Sequence, residues 1–152
     1  EEAGRFRSAL AFTAALLPDD RPRYVMGIGT PEDILDAVGE GIDLFDCVYP
    51  TRVARNAMAL TRDGNLNLRL EKNRLDQGPI DPDCRCTACR TVSRSYIRHL
   101  FKAREILAAV LTTEHNLQFL QDLIEGARAS IGEGRFAAWR SAVLDRRARG
   151  VP

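Results

Sequence analysis

Between Tyr24 and Pro50 the chain reads YVMGIGTPEDILDAVGEGIDLFDCVYP, and this stretch decides the fold class. Tyr24-Val25-Met26-Gly27-Ile28-Gly29 is a short apolar run of the kind buried on both faces of a parallel sheet. Thr30-Pro31-Glu32-Asp33 then opens a helix, with Thr30 as cap, Pro31 at the first helical position and acids in the first turn. Ile34, Leu35 and Val38 give that helix a core face, and Gly41 ends it. Ile42 to Tyr49 is a second apolar run, closed by Pro50. Upstream, Phe6, Leu10, Ala14 and Leu17 recur about once per turn over residues 4–17 before Pro18 stops that helix. Helix, strand, helix, strand is the alternation of an α/β fold with a parallel sheet. Two parallel strands do not make a stable sheet, and a complete βα barrel takes about 250 residues. The expected fold is therefore the C-terminal portion of a (β/α)8 TIM barrel whose earlier strands are absent.

Beyond Pro50 the pattern changes. Ala57 to Thr61 and Asn65 to Leu70 flank Arg62-Asp63-Gly64, and Asp-Gly is a tight-turn signal, so an antiparallel hairpin is expected. Cys84-Arg85-Cys86-Thr87-Ala88-Cys89 follows, a C-x-C-x-x-C cluster. Three cysteines this close pair badly as disulfides, because bridge geometry is restrictive and one is left over. With a histidine they form a Cys3His set, suited to one structural zinc ion. Of the two histidines, His99 sits inside a helical pattern. His115 is preferred as fourth ligand, since it is expected in the first turn of a helix capped by Thr112 or Thr113, where imidazolium is disfavoured. Cys47 lies far from the cluster and is not expected to be a ligand. One helix is expected over Thr91 to Leu111 and another over Glu114 to Ser130. A last one carries Phe136, Trp139, Val143 and Leu144, with Arg146-Arg147-Ala148-Arg149 as a frayed, solvated end. The organisation expected is residues 1–56 as the last βα units, 57–113 as an inserted zinc-binding subdomain (β-hairpin plus helices), and 114–152 as C-terminal helices.

The 152 residues are 45% hydrophobic and 28% charged, with net charge +1, so no global field announces a nucleic-acid partner. No apolar run reaches the ~18 residues of a membrane span. The cysteine pattern suits a reducing cytoplasm.

Asp46 does not match its surroundings. It stands near the end of an apolar strand, and βα barrels carry their active sites at the C-terminal ends of strands. A carboxylate there is costly unless paired or used; a salt bridge to Arg52 or Arg55 and a catalytic role are both open. Gly27-Ile28-Gly29-Thr30 turns directly into a helix N-terminus, either a phosphate site or simply a tight turn. Arg90, Arg94, Arg98 and Lys102 recur every four residues, either as a solvated face or as a contact for an RNA backbone.

Phe45-Asp46-Cys47-Val48-Tyr49-Pro50-Thr51-Arg52, Arg55-Asn56, C-x-C-x-x-C, Ser93-Arg94-Ser95-Tyr96-Ile97 and Thr113-Glu114-His115-Asn116 together resemble bacterial tRNA-guanine transglycosylase, over the C-terminal part of that family. The resemblance implies that Asp46 is the nucleophile that displaces guanine from the tRNA wobble position before a 7-deazaguanine base (the queuosine precursor) enters. It implies base contacts at Met26 and Gly27, and RNA contacts over Gly27, Ile28, Gly29, Thr30, Pro31, Glu32 and Asp33 and over Thr51, Arg52, Val53, Ala54 and Arg55. It implies zinc on Cys84, Cys86, Cys89 and His115, a cytoplasmic homodimer formed through the zinc-flanking helix around Tyr96 and His99, and no membrane. The family's other catalytic aspartate and much of its base pocket have no counterpart in these residues. The chain is therefore expected to be a fragment, inactive alone. Tyr49 replaces a smaller aliphatic residue, and Ala57 stands where glycine is common. The rival reading is a non-catalytic zinc-bearing subunit that binds RNA or protein.

Overall fold

The computed structural model describes residues 2–151, with side chains from Phe6 onward. Its elements in chain order are α1 (Glu2–Ala14), β1 (Tyr24–Met26), α2 (Pro31–Gly39), β2 (Leu44–Asp46), α3 (Tyr49–Arg55), β3 (Met58–Thr61), β4 (Gly64–Asn67), a 3-10 turn at Glu71–Asn73, α4 (Thr87–Thr91), α5 (Arg94–Ala103), α6 (Ile106–Gly132) and α7 (Phe136–Ala148). Helices and two small sheets are thus mixed along the chain, and no described helix is long and apolar enough to cross a membrane.

β1 and β2 pair in parallel, with Tyr24 opposite Leu44, Val25 opposite Phe45 and Met26 opposite Asp46. The strands are shorter than the apolar runs that predict them, and they are not buried on both faces. Val25 and Phe45 pack with Leu10 and Ala14 of α1, Ala37 of α2 and Ile42 just before β2. The opposite face is open, with Tyr24 50% and Met26 76% exposed. Alternation along a pleated strand explains this: one set of side chains meets the helices, and the other stays largely exposed. Pro50 does not close a strand. It sits in the first turn of α3, so Thr51 to Arg55 are helical.

The hairpin forms as its turn predicts, with Thr61 opposite Gly64 across Arg62-Asp63. Gly64 has φ +108°, and an added Cβ would lie 2.9 Å from the Arg147 carbonyl oxygen, so only glycine suits the position. Ala57, just before β3, has φ +63°, which explains why a glycine is at home there.

The helical half differs from the periodicity reading in two ways. The expected helix over 91–111 is three pieces, because Val92 and Ser93 are extended caps and Arg104 turns left-handed at φ +60°. α6 then runs unbroken through Thr112 and Thr113. Thr112 caps nothing: its hydroxyl donates 2.8 Å back to the Ala108 carbonyl.

α6 is the spine. One side packs with the hairpin and α5 through Ala108, alongside Leu66, Leu68, Ile80, Ile97 and Leu100. Farther along, Leu123 and Ala127 pack with Leu35 of α2 and with Phe136, Trp139 and Val143 of α7. Two of the C-terminal arginines, Arg146 and Arg147, are engaged rather than solvated, while Arg149 is exposed. Arg147 is 6% exposed. It donates to Glu32 Oε1 at 2.7 Å, to Asn65 Oδ1 at 3.1 Å and to the Thr61 carbonyl, with its guanidinium 5.3 Å from the centre of the Phe119 ring. Arg146 pairs with Asp63 at 2.7 Å.

Candidate metal centre and active-site strand

Cys84, Cys86, Cys89 and His115 converge, with one ligand atom from each lying within 4.8 Å of all the others. A tetrahedron with Zn–S bonds of ~2.3 Å has edges of about 3.8 Å, so a small contraction of this set would close around zinc. All cysteines are free thiols, and Cys47 and His99 lie outside the cluster. Local structure shapes the cluster. Cys86 caps α4, its sulfur accepting the Cys89 N–H at 3.3 Å, and the Asp81 N–H points at Cys89 Sγ at 3.5 Å. His115 is fully buried in mid-helix. The first-turn argument for choosing it therefore fails, although the residue does join the cluster. What selects its ring nitrogen is the hydrogen bond from Nε2–H to the Leu60 carbonyl at 2.8 Å. That bond leaves Nδ1 facing the sulfurs, at 3.3 Å from Cys89 and 3.7 Å from Cys86.

The electrostatics agree with a cation site. Hydrogen bonds from Cys86 and Cys89 pull the Cys84 thiol far down, while those to Cys84 and Cys86 push the Cys89 thiol up. Burial pushes the His115 imidazole down, but the Cys84 and Cys86 sulfurs outweigh it and raise the ring to about 9. A deprotonated Cys84 thus sits in a buried space beside a protonated Cys89 and imidazole, whose protons a divalent cation would displace.

Asp46 ends β2 on the open face. Its Oδ1 accepts the Tyr24 hydroxyl at 2.5 Å and the Gly27 N–H at 3.4 Å; among the described residues its Oδ2 accepts nothing. The Gly27 N–H also donates to the Asp46 carbonyl at 3.0 Å. Met26 stands directly across the register. The Asp46 hydrogen bond raises the Tyr24 phenol above its ordinary value. Neither Arg52 nor Arg55 pairs with Asp46: both are exposed on α3 and form no described ion pair. The turn after β1 is held tightly, since a Cβ on Gly29 would lie 2.0 Å from Cys47 Sγ. The N-terminus of α2 is already occupied by its own groups. Thr30 accepts the Asp33 N–H and donates to the Asp33 carboxylate, and Glu32 pairs with Arg147. Those acids make it a poor phosphate cradle.

The basic stripe is not one free face. Arg94 donates to Asp76 and to the Ile80 carbonyl, and Arg98 to Glu71 and the Leu70 carbonyl, so both tie the preceding loop to α5. Tyr96 and His99 of the same helix are exposed. Two residues of the sites escape sequence reading. Tyr24 reaches Asp46 only through strand register, on the diagonal between neighbouring strands. Asn116 shows as a buried polar side chain only once α6 is placed.

The sequence pattern of the family described as queuine tRNA-ribosyltransferase matches residues 1–149. The queuine tRNA-ribosyltransferase of Nitratidesulfovibrio vulgaris is 49% identical over 140 residues, which is 92% of this chain and 37% of that protein. That of Sphingopyxis alaskensis is 52% identical over 132 residues, 87% of this chain and 35% of that protein. That of Helicobacter pylori is 45% identical over 146 residues, 96% of this chain and 39% of that protein. The chain therefore spans a little over a third of the length of the curated relatives it matches.

Proposed function

The chain belongs to the queuine tRNA-ribosyltransferase family, and we propose that it supplies the nucleophile-bearing strand and the metal-binding subdomain of a tRNA-guanine transglycosylase. In this reading β1 and β2, with α2 and α3, are the closing βα units of a (β/α)8 barrel. The parallel pairing, and an exposed carboxylate at the C-terminal end of a strand, support it. The division into residues 1–56, 57–113 and 114–152 belongs to the same proposal, with α6 as the spine of the last two parts.

The observation that carries the proposal is Asp46, with Oδ1 held by Tyr24 and Gly27 and Oδ2 free on the open face. Asp46 Oδ2 attacks C1′ of the guanosine at the wobble position. The C1′–N9 bond breaks, its electron pair leaves with guanine, and a proton completes the departing base. A 7-deazaguanine base then attacks C1′ through its ring nitrogen and loses its proton there. The carboxylate leaves with the electrons of its ester bond, so one difficult substitution becomes two easier ones. Tyr24 and the Gly27 N–H position the carboxylate throughout and take charge density as it leaves. Met26 lies beside the reacting centre, where its exposed side chain would pack on the base. Gly27 to Asp33 and Thr51 to Arg55 border the same end of the strands and would contact the anticodon loop, with Arg52 and Arg55 free to meet phosphates. Cys84, Cys86, Cys89 and His115 would hold zinc, which supplies structural anchoring there. Tyr96 and His99 form the exposed part of α5 that would meet a second copy of the protein. Arg94 and Arg98 are engaged elsewhere. The protein would act in the cytoplasm.

The test is exchange of labelled guanine into tRNA by a full-length relative whose corresponding segment is replaced by this chain. Asp46→Asn is expected to abolish exchange while zinc content and tRNA affinity stay near those of the parent. Exchange at the parental rate by that variant would exclude Asp46 as nucleophile.

A further inference from the structure

Asn116 follows the candidate metal ligand His115 directly, and the chemistry proposed above does not use it. It is 0% exposed. Its side chain spans three backbone groups that are distant in sequence. Oδ1 accepts the Leu60 N–H at 2.8 Å, and Nδ2 donates to the Met58 carbonyl at 3.0 Å and to the Pro50 carbonyl at 3.0 Å. Met58 and Leu60 lie on β3, and His115 takes the Leu60 carbonyl. Together the two side chains satisfy the edge of β3 that faces away from β4. Pro50 is in the first turn of α3, just past the strand that ends in Asp46. Successive helical residues are rotated by about 100°, so His115 faces the cysteines while Asn116 faces α3.

We propose that Asn116 is a positioning residue: it carries the anchoring of α6 at the Cys84, Cys86, Cys89 and His115 centre across to the Pro50 carbonyl, and so fixes α3 and the end of the strand bearing Asp46. The inference rests on the zinc and nucleophile readings given above. Its physical basis is saturation. Both Nδ2 hydrogens and Oδ1 are engaged in a dry space, so α3 cannot slide against α6 without orphaning a buried amide or carbonyl. A buried amide with all its partners in place has one usable arrangement, and it locks three segments into one register. The metal centre thereby acts on the reacting strand from a distance, through α6, with no ligand near Asp46.

The experiment is hydrogen exchange read by mass spectrometry on the full chain loaded with zinc chloride. In Asn116→Leu, which keeps the branched side chain and loses the hydrogen bonds, the amides of residues 52–56 are expected to exchange at least about tenfold faster. Those of residues 84–91 and of α7 are expected to keep parental rates, with one zinc retained. Unchanged rates in α3, or equal acceleration in α7, would overturn the proposal. If Asn116→Leu fails to fold, the parent chain decides. On chelation of zinc the α3 amides should accelerate along with residues 84–91 while α7 does not. Protection kept in α3, or lost equally in α7, overturns it there. A chain that takes up no zinc overturns both this inference and the zinc reading. Because both readouts are structural, absence of guanine exchange in the full-length chimera would count against the catalytic reading alone.

Discussion

Replacing Arg147 with alanine should cost about 3 kcal/mol, far more than a surface arginine near a chain end is worth. The figure comes from what the side chain touches. Its donation to the Thr61 carbonyl would be lost in a buried setting, and an orphaned buried acceptor costs about 1–3 kcal/mol. Its stacking over Phe119 adds about 1 kcal/mol. The pair with Glu32 adds less, about 0.5 kcal/mol, because Glu32 is half open to solvent. With a urea m-value of about 2 kcal/mol/M, the unfolding midpoint of the zinc-loaded chain should fall by about 1.5 M. Arg149→Ala, two residues on and exposed, is the control and should stay within about 0.5 kcal/mol. Arg147→Met separates the causes: methionine keeps contact with Phe119 but leaves the Thr61 carbonyl bare, so it should recover about 1 kcal/mol of the loss. If Arg147→Ala were no worse than Arg149→Ala, the reasoning that makes Arg147 the clasp between α7, the hairpin and α2 would be wrong.

Cys84→Ser should abolish stoichiometric zinc uptake and lower the unfolding midpoint as well, because the centre lies inside the hairpin core; metal analysis beside a thermal melt checks both. The Tyr24 phenol is raised by the Asp46 carboxylate, so its tyrosinate absorbance should appear above the ordinary value of about 10 and move down towards it in Asp46→Asn. The sign for stability follows: a raised acid contributes below its unfolded pKa and loses that contribution as pH rises through the folded one, so any difference in melting between Tyr24 and Tyr24→Phe should vanish in alkali. Arg104→Gly should stabilise by about 0.5 kcal/mol in urea unfolding, since it relieves a left-handed backbone at an exposed helix end. Ala57→Gly relieves the same strain but uncovers about 0.8 kcal/mol of buried methyl, so it should be near neutral.

How much of this could be read in advance follows from range along the chain. The cysteine cluster is local: C-x-C-x-x-C brings three sulfurs together whatever surrounds it. The Asp63-Gly64 turn is equally local, as is the Thr30 cap with Pro31 behind it. His115 was legible as a candidate ligand by scarcity, one of two histidines, but not by its position in the helix. Periodicity alone does not show that Arg104 breaks one helix while Thr112 and Thr113 leave the next intact. Tyr24 with Asp46, Asn116 with Pro50 and Arg147 with Thr61 are pairings across long stretches of chain, set by strand register and helix packing. Charge at those positions reads as solvated until the partner is known. Arg94 and Arg98 show the same effect, since a regular basic stripe hid two arginines spent on loop carbonyls.

The candidate site divides its labour between neighbours in sequence. Asp46 lies on the open face of β2 while Phe45, next to it, packs against the helices, so the packing of one residue leaves the other exposed. His115 and Asn116 repeat the device on a helix, one turned to the cysteines and one to α3. In both places a reactive or ligating group is fixed by an adjacent residue on a different face, and neither needs a flexible loop to aim it. That suits the proposed reaction, in which a bulky RNA would arrive from the open side and the carboxylate would take its order from the protein. The support comes instead from within the strand pair, through Tyr24 and Gly27, and from beneath, where Asn116 holds the Pro50 carbonyl. Oδ2 of this exposed carboxylate accepts nothing among the described residues while its partner oxygen is anchored, which is the arrangement the proposed attack through one oxygen needs.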